Sequence, residues 1–312
     1  MKVFVTGVGG QLGHDVMNEL EKRGYEGIGS DLAPTYSGIQ DGSAVTKMPY
    51  VSMDITDRSS VDAVLSDEQP DVVVHCAAWT AVDMAEDDDK VEKVRLVNAA
   101  GTENIALACK KLDCKMIYLS TDYVFDGLGT EPWLPDCKDY KPLNVYGQTK
   151  LEGELAVSRH LEKFFIVRIA WVFGVNGKNF IKTMLNLGKT HDRITVVNDQ
   201  IGTPTYTFDL ARLLVDMLET EKYGYYHATN EGGYISWYDF TLEIFRQATE
   251  LGHPEYDTDH VTVVPVTTAE FTASKARRPF NSRLDKNKLT ENGFTPLPTW
   301  QDALNRYLKE LL

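Results

Sequence analysis

The tightest constraint on the fold lies early in the sequence. There the run Val3-Phe4-Val5 meets Thr6-Gly7-Val8-Gly9-Gly10-Gln11-Leu12-Gly13 and gives way to helical periodicity from Leu12 to Arg23. A strand, a glycine turn and a helix in that order present backbone N–H groups and the positive end of a helix dipole to an anion. Without side chains at Gly7 and Gly10 the turn can be tight and a pyrophosphate can approach the backbone. Gly13 lets the helix sit close to the strand, and Gln11 and Leu12, at the helix start, complete the set expected to face a dinucleotide. A glycine cluster alone says little, and its place between the first strand and the first helix gives it meaning. No GxxxxGK[ST] segment is present, which disfavours a nucleoside triphosphatase.

The same alternation continues. Val72-Val73-Val74, Met116-Ile117-Tyr118-Leu119 and Phe164-Phe165-Ile166-Val167 read as buried strands. Helical patterns lie between them over 59–66, 91–112 and 145–161, with Asp57 or Ser59 and then Asn144 as caps. This predicts an α/β fold, a doubly wound parallel sheet of Rossmann type, followed by a smaller mixed α/β substrate domain. The expected division is 1–173 for the dinucleotide half and 174–312 for the substrate half, with about 205–228 packing back on the first. Glu86-Asp87-Asp88-Asp89 reads as a solvated helix start, favoured by the dipole.

Charge and composition narrow the function. The 312 residues carry a formal charge of -14, so no nucleic acid and no anionic membrane is expected as a partner, and an anionic ligand needs a local positive site. No apolar run approaches the roughly 20 residues that span a bilayer, and Met1 to Gly7 breaks into glycine too early for a secretory signal. The 4 cysteines show no CxxC spacing, which points to reduced thiols and a cytoplasmic location, with no metal site indicated.

Asp31 follows the glycine turn by roughly 20 residues, where a carboxylate meets the adenine ribose; it accepts from a 2′-hydroxyl and repels a 2′-phosphate, favouring NADH over NADPH. Asp54-Ile55 closes another short segment, where the aspartate can hold the adenine amino group. Ala77, Ala78 and Thr80 follow the Val72 strand, and small residues there let the nicotinamide half of a cofactor cross the sheet edge.

Tyr146 and Lys150 place a phenol and an ammonium on one helical face. With 15 tyrosines, about one YxxxK per chain is expected by chance, so order carries the argument. The glycine turn comes first, then Ser120-Thr121-Asp122 at a strand's carboxyl end, then the pair. A hydride reaching a carbonyl carbon leaves an alkoxide that must take a proton. A lysine charge ~4 Å from the phenol is worth about 4 kcal/mol at an effective dielectric of 20, or roughly three pKa units, which would bring the tyrosine toward neutrality. Thr121 would donate to the carbonyl oxygen.

These residues resemble the extended short-chain dehydrogenase/reductase family. Within it they resemble the branch of dTDP-4-dehydrorhamnose reductases, over nearly the whole chain. The segments that carry the resemblance are 77–86, 120–127, 142–150, 171–174, 198–205 and 277–282. It implies Thr121, Tyr146 and Lys150 as catalytic residues and a nucleotide sugar as substrate, touched by Val82, Asp122 and Trp171. Arg278 suits its pyrophosphate, with a surface arginine as the other reading. Trp171 reads as a stacking platform or as core. Trp79 departs from the family's usual histidine or tyrosine, and 32–49 looks like an insertion. The family generally takes NADPH and often NADH, against the charge argument at Asp31. Some members bind magnesium at a dimer contact; no motif here assigns ligands for it, and a homodimer stays open. Dehydratases on this scaffold carry Asp-Glu directly after the threonine, whereas Asp122 is followed by Tyr123, so dehydration is disfavoured. Other nucleotide-sugar reductases, epimerases, and a NADP-binding regulatory subunit like that of methionine adenosyltransferase stay as alternatives.

Overall fold

The computed structural model describes residues 1–36 and 47–312. Its centre is a parallel sheet in which β1 (Lys2–Thr6) lies between β2 (Glu26–Asp31) and β4 (Val72–His75). Beyond β2 comes β3 (Tyr50–Ser52). Beyond β4 come β5 (Lys115–Thr121), β6 (Phe164–Ile169) and a seventh strand, Gly224–His227. The strand order reverses between β1 and β4, so their following loops diverge and open a crevice at the carboxyl edge.

Adjacent residues of these strands point to opposite faces, and both faces are covered. Val3, Val5, Val72, Val74, Phe165 and Val167 pack with α1 (Gln11–Lys22) and α7 (Thr207–Leu218). Phe4, Val73, Met116, Tyr118 and Ile166 pack on the other face, with α2 (Arg58–Glu68) and α4 (Thr102–Leu112). A second core joins α6 (Phe180–Gly188), α8 (Trp237–Glu250) and the helix Trp300–Leu311 through Ile181, Leu185, Phe240, Ile244, Trp300 and Tyr307. Asp57 caps α2 by accepting from the N–H groups of Ser59 and Ser60. Asn144 caps α5 (Val145–His160) by accepting from Gly147 at 2.8 Å.

Two local expectations give way. The single helix expected over 91–112 is three pieces: α3 (Val91–Arg95), a π-helical stretch Leu96–Gly101, and α4. The wider turn brings Asn98 inward, fully buried, where its side chain bonds Trp79 and Thr149. Such π-bulges recur at functional sites. Nor is Glu86 a solvated helix start. It closes the short turn Met84–Glu86, and its carboxylate accepts from the backbone N–H of Val145 at 2.7 Å, an anion on the first turn of α5. The insertion expected over 32–49 lies mostly outside the described residues; of its flanks, Tyr36 stacks on Tyr50 with ring centroids 5.7 Å apart. The four cysteines are free thiols, and no helix among the described residues is long and apolar enough to cross a membrane.

One polar interaction is sealed inside. Arg168 on β6 donates from Nε and Nη2 to the two carboxylate oxygens of Glu154 on α5, each at 2.8 Å, and both side chains are 0% exposed. The guanidinium also donates to Pro135 O at 3.0 Å and to the Tyr140 hydroxyl at 3.1 Å. Breaking one side of such a pair strands a charge in low dielectric, at a cost of about 3–5 kcal/mol, whereas replacing both by apolar groups of similar size is often neutral. Glu154→Gln should therefore lose stability of that order in urea unfolding, and Glu154→Leu with Arg168→Met should recover most of it. A single variant within 1 kcal/mol of the parent, on the order of the exposed pairs measured elsewhere, would show that the pair does not hold α5 to the sheet.

Candidate active site

The crevice deepens into a cleft of about 630 Å³, lined from one end to the other by residues far apart in sequence. Gly7, Gly10, Gln11, Leu12 and Gly13 form its floor at the glycine turn. Asp31, Asp54 and Ile55 lie at one end. Ala77, Ala78, Thr80 and Val82 form a wall, and Thr121, Asp122, Tyr146, Lys150, Trp171 and Arg278 close the other end.

The turn is built for close approach. Gly7 has φ +73°, and a Cβ there would sit 2.6 Å from Ala77 N; one on Gly13 would sit 2.3 Å from Gly7 O. Gly10 precedes α1 with no side-chain cap, leaving the first N–H groups of the helix to a ligand. The Asp31 carboxylate is held in place, accepting from Gly9 N at 2.8 Å and Leu32 N at 2.7 Å. Asp54 accepts from the backbone and hydroxyl of Thr56, at 2.9 and 2.7 Å. A glycine turn with open N–H groups and a carboxylate fixed at the end of β2 fits a nicotinamide dinucleotide.

At the other end burial governs the chemistry. Lys150 is 3% exposed, with Nζ 4.1 Å from the centroid of the Tyr118 ring. Burial drives its pKa down to about 7, against the pull of Glu154 and Cys76. Burial also drives the Tyr146 phenol well above its ordinary value, helped by Asp122 and Tyr123 and opposed by a hydrogen bond with Thr121. The lowered phenol pKa expected from the neighbouring lysine is therefore not found: the phenol is raised. Desolvation is the largest influence on the phenol, and burial also disfavours the charged form of Lys150. Asp122 is pushed up to about 6 by burial, against hydrogen bonds from Ser282 and Thr121. The Thr121 hydroxyl donates to Asp122 Oδ1 at 3.0 Å and accepts from Tyr123 N at 3.3 Å.

Beneath the lysine sits a residue that carried no sequence signal. His75 is 1% exposed, between the hydroxyls of Thr6 at 2.8 Å and Thr102 at 3.1 Å. Thr102 spends its proton on Asn98 O, so His75 Nε2 donates to Thr102 and Nδ1 accepts from Thr6. Burial, then Lys150, pushes this imidazole down to about 3, and it stays neutral.

Arg278 lines the cleft, with its guanidinium held by partners within the chain. Its Nη2 donates to Asp83 at 2.6 Å, Nη1 to the Tyr123 hydroxyl at 3.1 Å and Nε to Ser274 at 2.9 Å. Asp83 cancels its charge and also accepts from the N–H groups of Lys275 and Ala276. Trp171 combines both of its readings: it lines the cleft and stacks on Trp237 at 3.7 Å, with a left-handed φ of 52°. That conformation in a bulky residue costs on the order of 1–3 kcal/mol and is a mark of functional sites. Trp237 and Lys178 join the site only through folding, since nothing near them in sequence marks a ligand, whereas Asp83 directly follows Val82. Among the described residues no group of three or more His, Cys, Asp or Glu is arranged to hold a metal ion, and magnesium stays unassigned.

The family model of the RmlD substrate binding domain matches residues 1–312. The chain belongs to that family. It is 36% identical to dTDP-4-dehydrorhamnose reductase of Escherichia coli K12 across 100% of this chain and 98% of that one. The crystal structure of a Clostridium acetobutylicum dTDP-4-dehydrorhamnose reductase superposes with TM-score 0.86 at 38% identity, covering 100% and 99% of the two chains. That of the Bacillus anthracis enzyme, in complex with NADP, gives 0.85 at 37% identity over 99% of each.

Asp83 ties the 274–278 segment over the site through four hydrogen bonds, to Ser274, Lys275, Ala276 and Arg278. Asp83→Ala should speed amide exchange at Lys275 and Ala276 by roughly tenfold or more, for the loss of bonds to a charged acceptor. Exchange unchanged at both amides would mean that the segment is held by other contacts.

Proposed function

We propose that this chain reduces the 4-keto group of dTDP-4-dehydro-L-rhamnose to give dTDP-L-rhamnose, with NAD(P)H as reductant. One observation carries the reading. Thr121, Tyr146 and Lys150 converge on a cleft that also holds the glycine turn, in a chain matched along its whole length by reductases of that name. Residues 1–173 are the cofactor half in this reading and 174–312 the sugar half, with 205–228 returned to the first.

A reduced nicotinamide dinucleotide, when bound, supplies the hydride. As the C–H bond forms at C4, the carbonyl electron pair passes to oxygen, and Tyr146 holds the proton that this oxygen takes. A phenol raised by burial begins fully protonated, which suits a donor to an alkoxide. Thr121 turns its hydroxyl from Asp122 to the same oxygen. Lys150 lies one helical turn from Tyr146; it would hold the ribose hydroxyls of the dinucleotide and, once protonated, would stabilise the phenolate left behind. Val82 and Trp171 hold the sugar, and Asp122 accepts from one of its hydroxyls. Neither the regulatory-subunit reading nor the dehydratase and epimerase readings has a specific feature of this site in its favour.

Tyr146→Phe keeps the ring and removes the proton. It should fold and bind NADPH normally while losing about 10²–10⁴-fold in turnover. Full turnover in this variant would remove Tyr146 from the mechanism. Asp31 gives a second test, because its carboxylate is held where an adenine ribose arrives. Two solvated charges at 4 Å are worth about 1 kcal/mol, so Asp31→Ser should raise kcat/KM for NADPH over NADH by about fivefold to tenfold. An unchanged ratio would place cofactor choice elsewhere.

A further inference from the structure

Both ligands of this reading carry a diphosphate, yet the chain has a net charge of -14. Some local cation must offset that field. Three basic side chains line the cleft: Lys150, Lys178 and Arg278. Lys150 is buried at the catalytic end with a pKa near 7, and Arg278 is paired with Asp83 at 2.6 Å. Lys178 differs from both. It is exposed, and among the described residues it makes no hydrogen bond or ion pair.

The backbone that carries it is fixed to the glycine turn from both sides. Asn176 Nδ2 donates to Gly9 O at 2.9 Å and to Gly10 O at 3.3 Å. Asn179 Nδ2 donates to Gln11 Oε1 at 3.1 Å and to Gly174 O at 2.9 Å. Lys182 closes the loop from below, its ammonium donating to Val175 O and to Gly177 O, the latter at 2.9 Å. The loop thus anchors one residue before Lys178's neighbour and again one residue after it, and the lysine rises from the stretch between. Three side chains and five backbone carbonyls seat this loop against the start of α1, and Lys178 lines the same cleft as the glycine turn there.

We infer that Lys178 is a diphosphate-binding residue, which supplies the mobile positive charge at the rim of the cleft while the glycine turn supplies fixed N–H donors. A lysine suits this place better than an arginine because a point charge on a flexible stem can follow phosphates as they enter. The diphosphate belongs either to the dinucleotide or to the sugar nucleotide, and the inference rests on the reading above only for the second of these.

The test measures binding of NADPH and, separately, of dTDP to the full chain by titration calorimetry, at low and high salt. Lys178→Gln should weaken one of the two by roughly tenfold, the size of a lost hydrogen bond to a charged group, and should flatten its salt dependence. Lys178→Arg should retain most of the affinity, and thymidine, which has no phosphate, should bind both variants alike. Loss confined to NADPH assigns Lys178 to the cofactor; loss confined to dTDP assigns it to the substrate. If both ligands bind Lys178→Gln within twofold of the parent, the inference fails. Should the parent chain still turn over the keto sugar, the reductase reading survives that failure.

Discussion

The bidentate contact between Glu154 and Arg168 fixes where the chemistry happens. Tyr146, Lys150 and Glu154 follow one another at four-residue intervals along α5, so a single face carries all three. Arg168 belongs to β6, which pairs with β5, and β5 ends at Thr121. Locking Glu154 to Arg168 therefore sets the height of α5 against the sheet edge, and with it the position of the phenol relative to Thr121. The same carboxylate favours the charged form of Lys150, offsetting part of what burial takes away. Glu86 holds the other end of α5 by receiving the N–H of Val145.

Around that fixed helix, the cleft sorts its charges by depth. The titratable groups at the deep end are buried and neutral or nearly so: the Tyr146 phenol and the Lys150 amine near its midpoint, with the His75 imidazole below held neutral. Asp31, Asp54 and Lys178, which line the same cleft, lie nearer solvent. A hydride transfer benefits from this arrangement, since a dry reacting end strengthens every dipole aimed at the developing alkoxide.

Much of this was legible in the sequence because it rests on local pattern. The strand–glycine turn–helix, the caps Asp57 and Asn144, the strand ending at Thr121 and the Tyr146–Lys150 pair each occupy one short segment whose geometry follows from residue type and spacing. The parts that escaped depend on long-range contact or on desolvation. Asn98 is unremarkable inside a helical pattern until a π-helical turn rotates it toward Trp79. The partners of Arg278 are set by folding, since Asp83 lies far away along the chain. The raised pKa of Tyr146 escapes a pairwise charge argument because its largest cause is burial, which depends on the folded surroundings. Lys178 gave no sign because its meaning comes from Asn176 and Asn179 binding a turn far away along the chain.

The central claim is direct hydride delivery to C4 of the sugar with the proton from Tyr146. It is tested most directly by incubating the chain with dTDP-4-dehydro-L-rhamnose and NADPH deuterated at the transferring position of the nicotinamide, then locating the label in the product. The account predicts one deuterium, at C4 of the rhamnosyl ring, and its near-complete loss of formation in Tyr146→Phe. A product without deuterium at C4, or label incorporated there equally fast by the Phe variant, would contradict it.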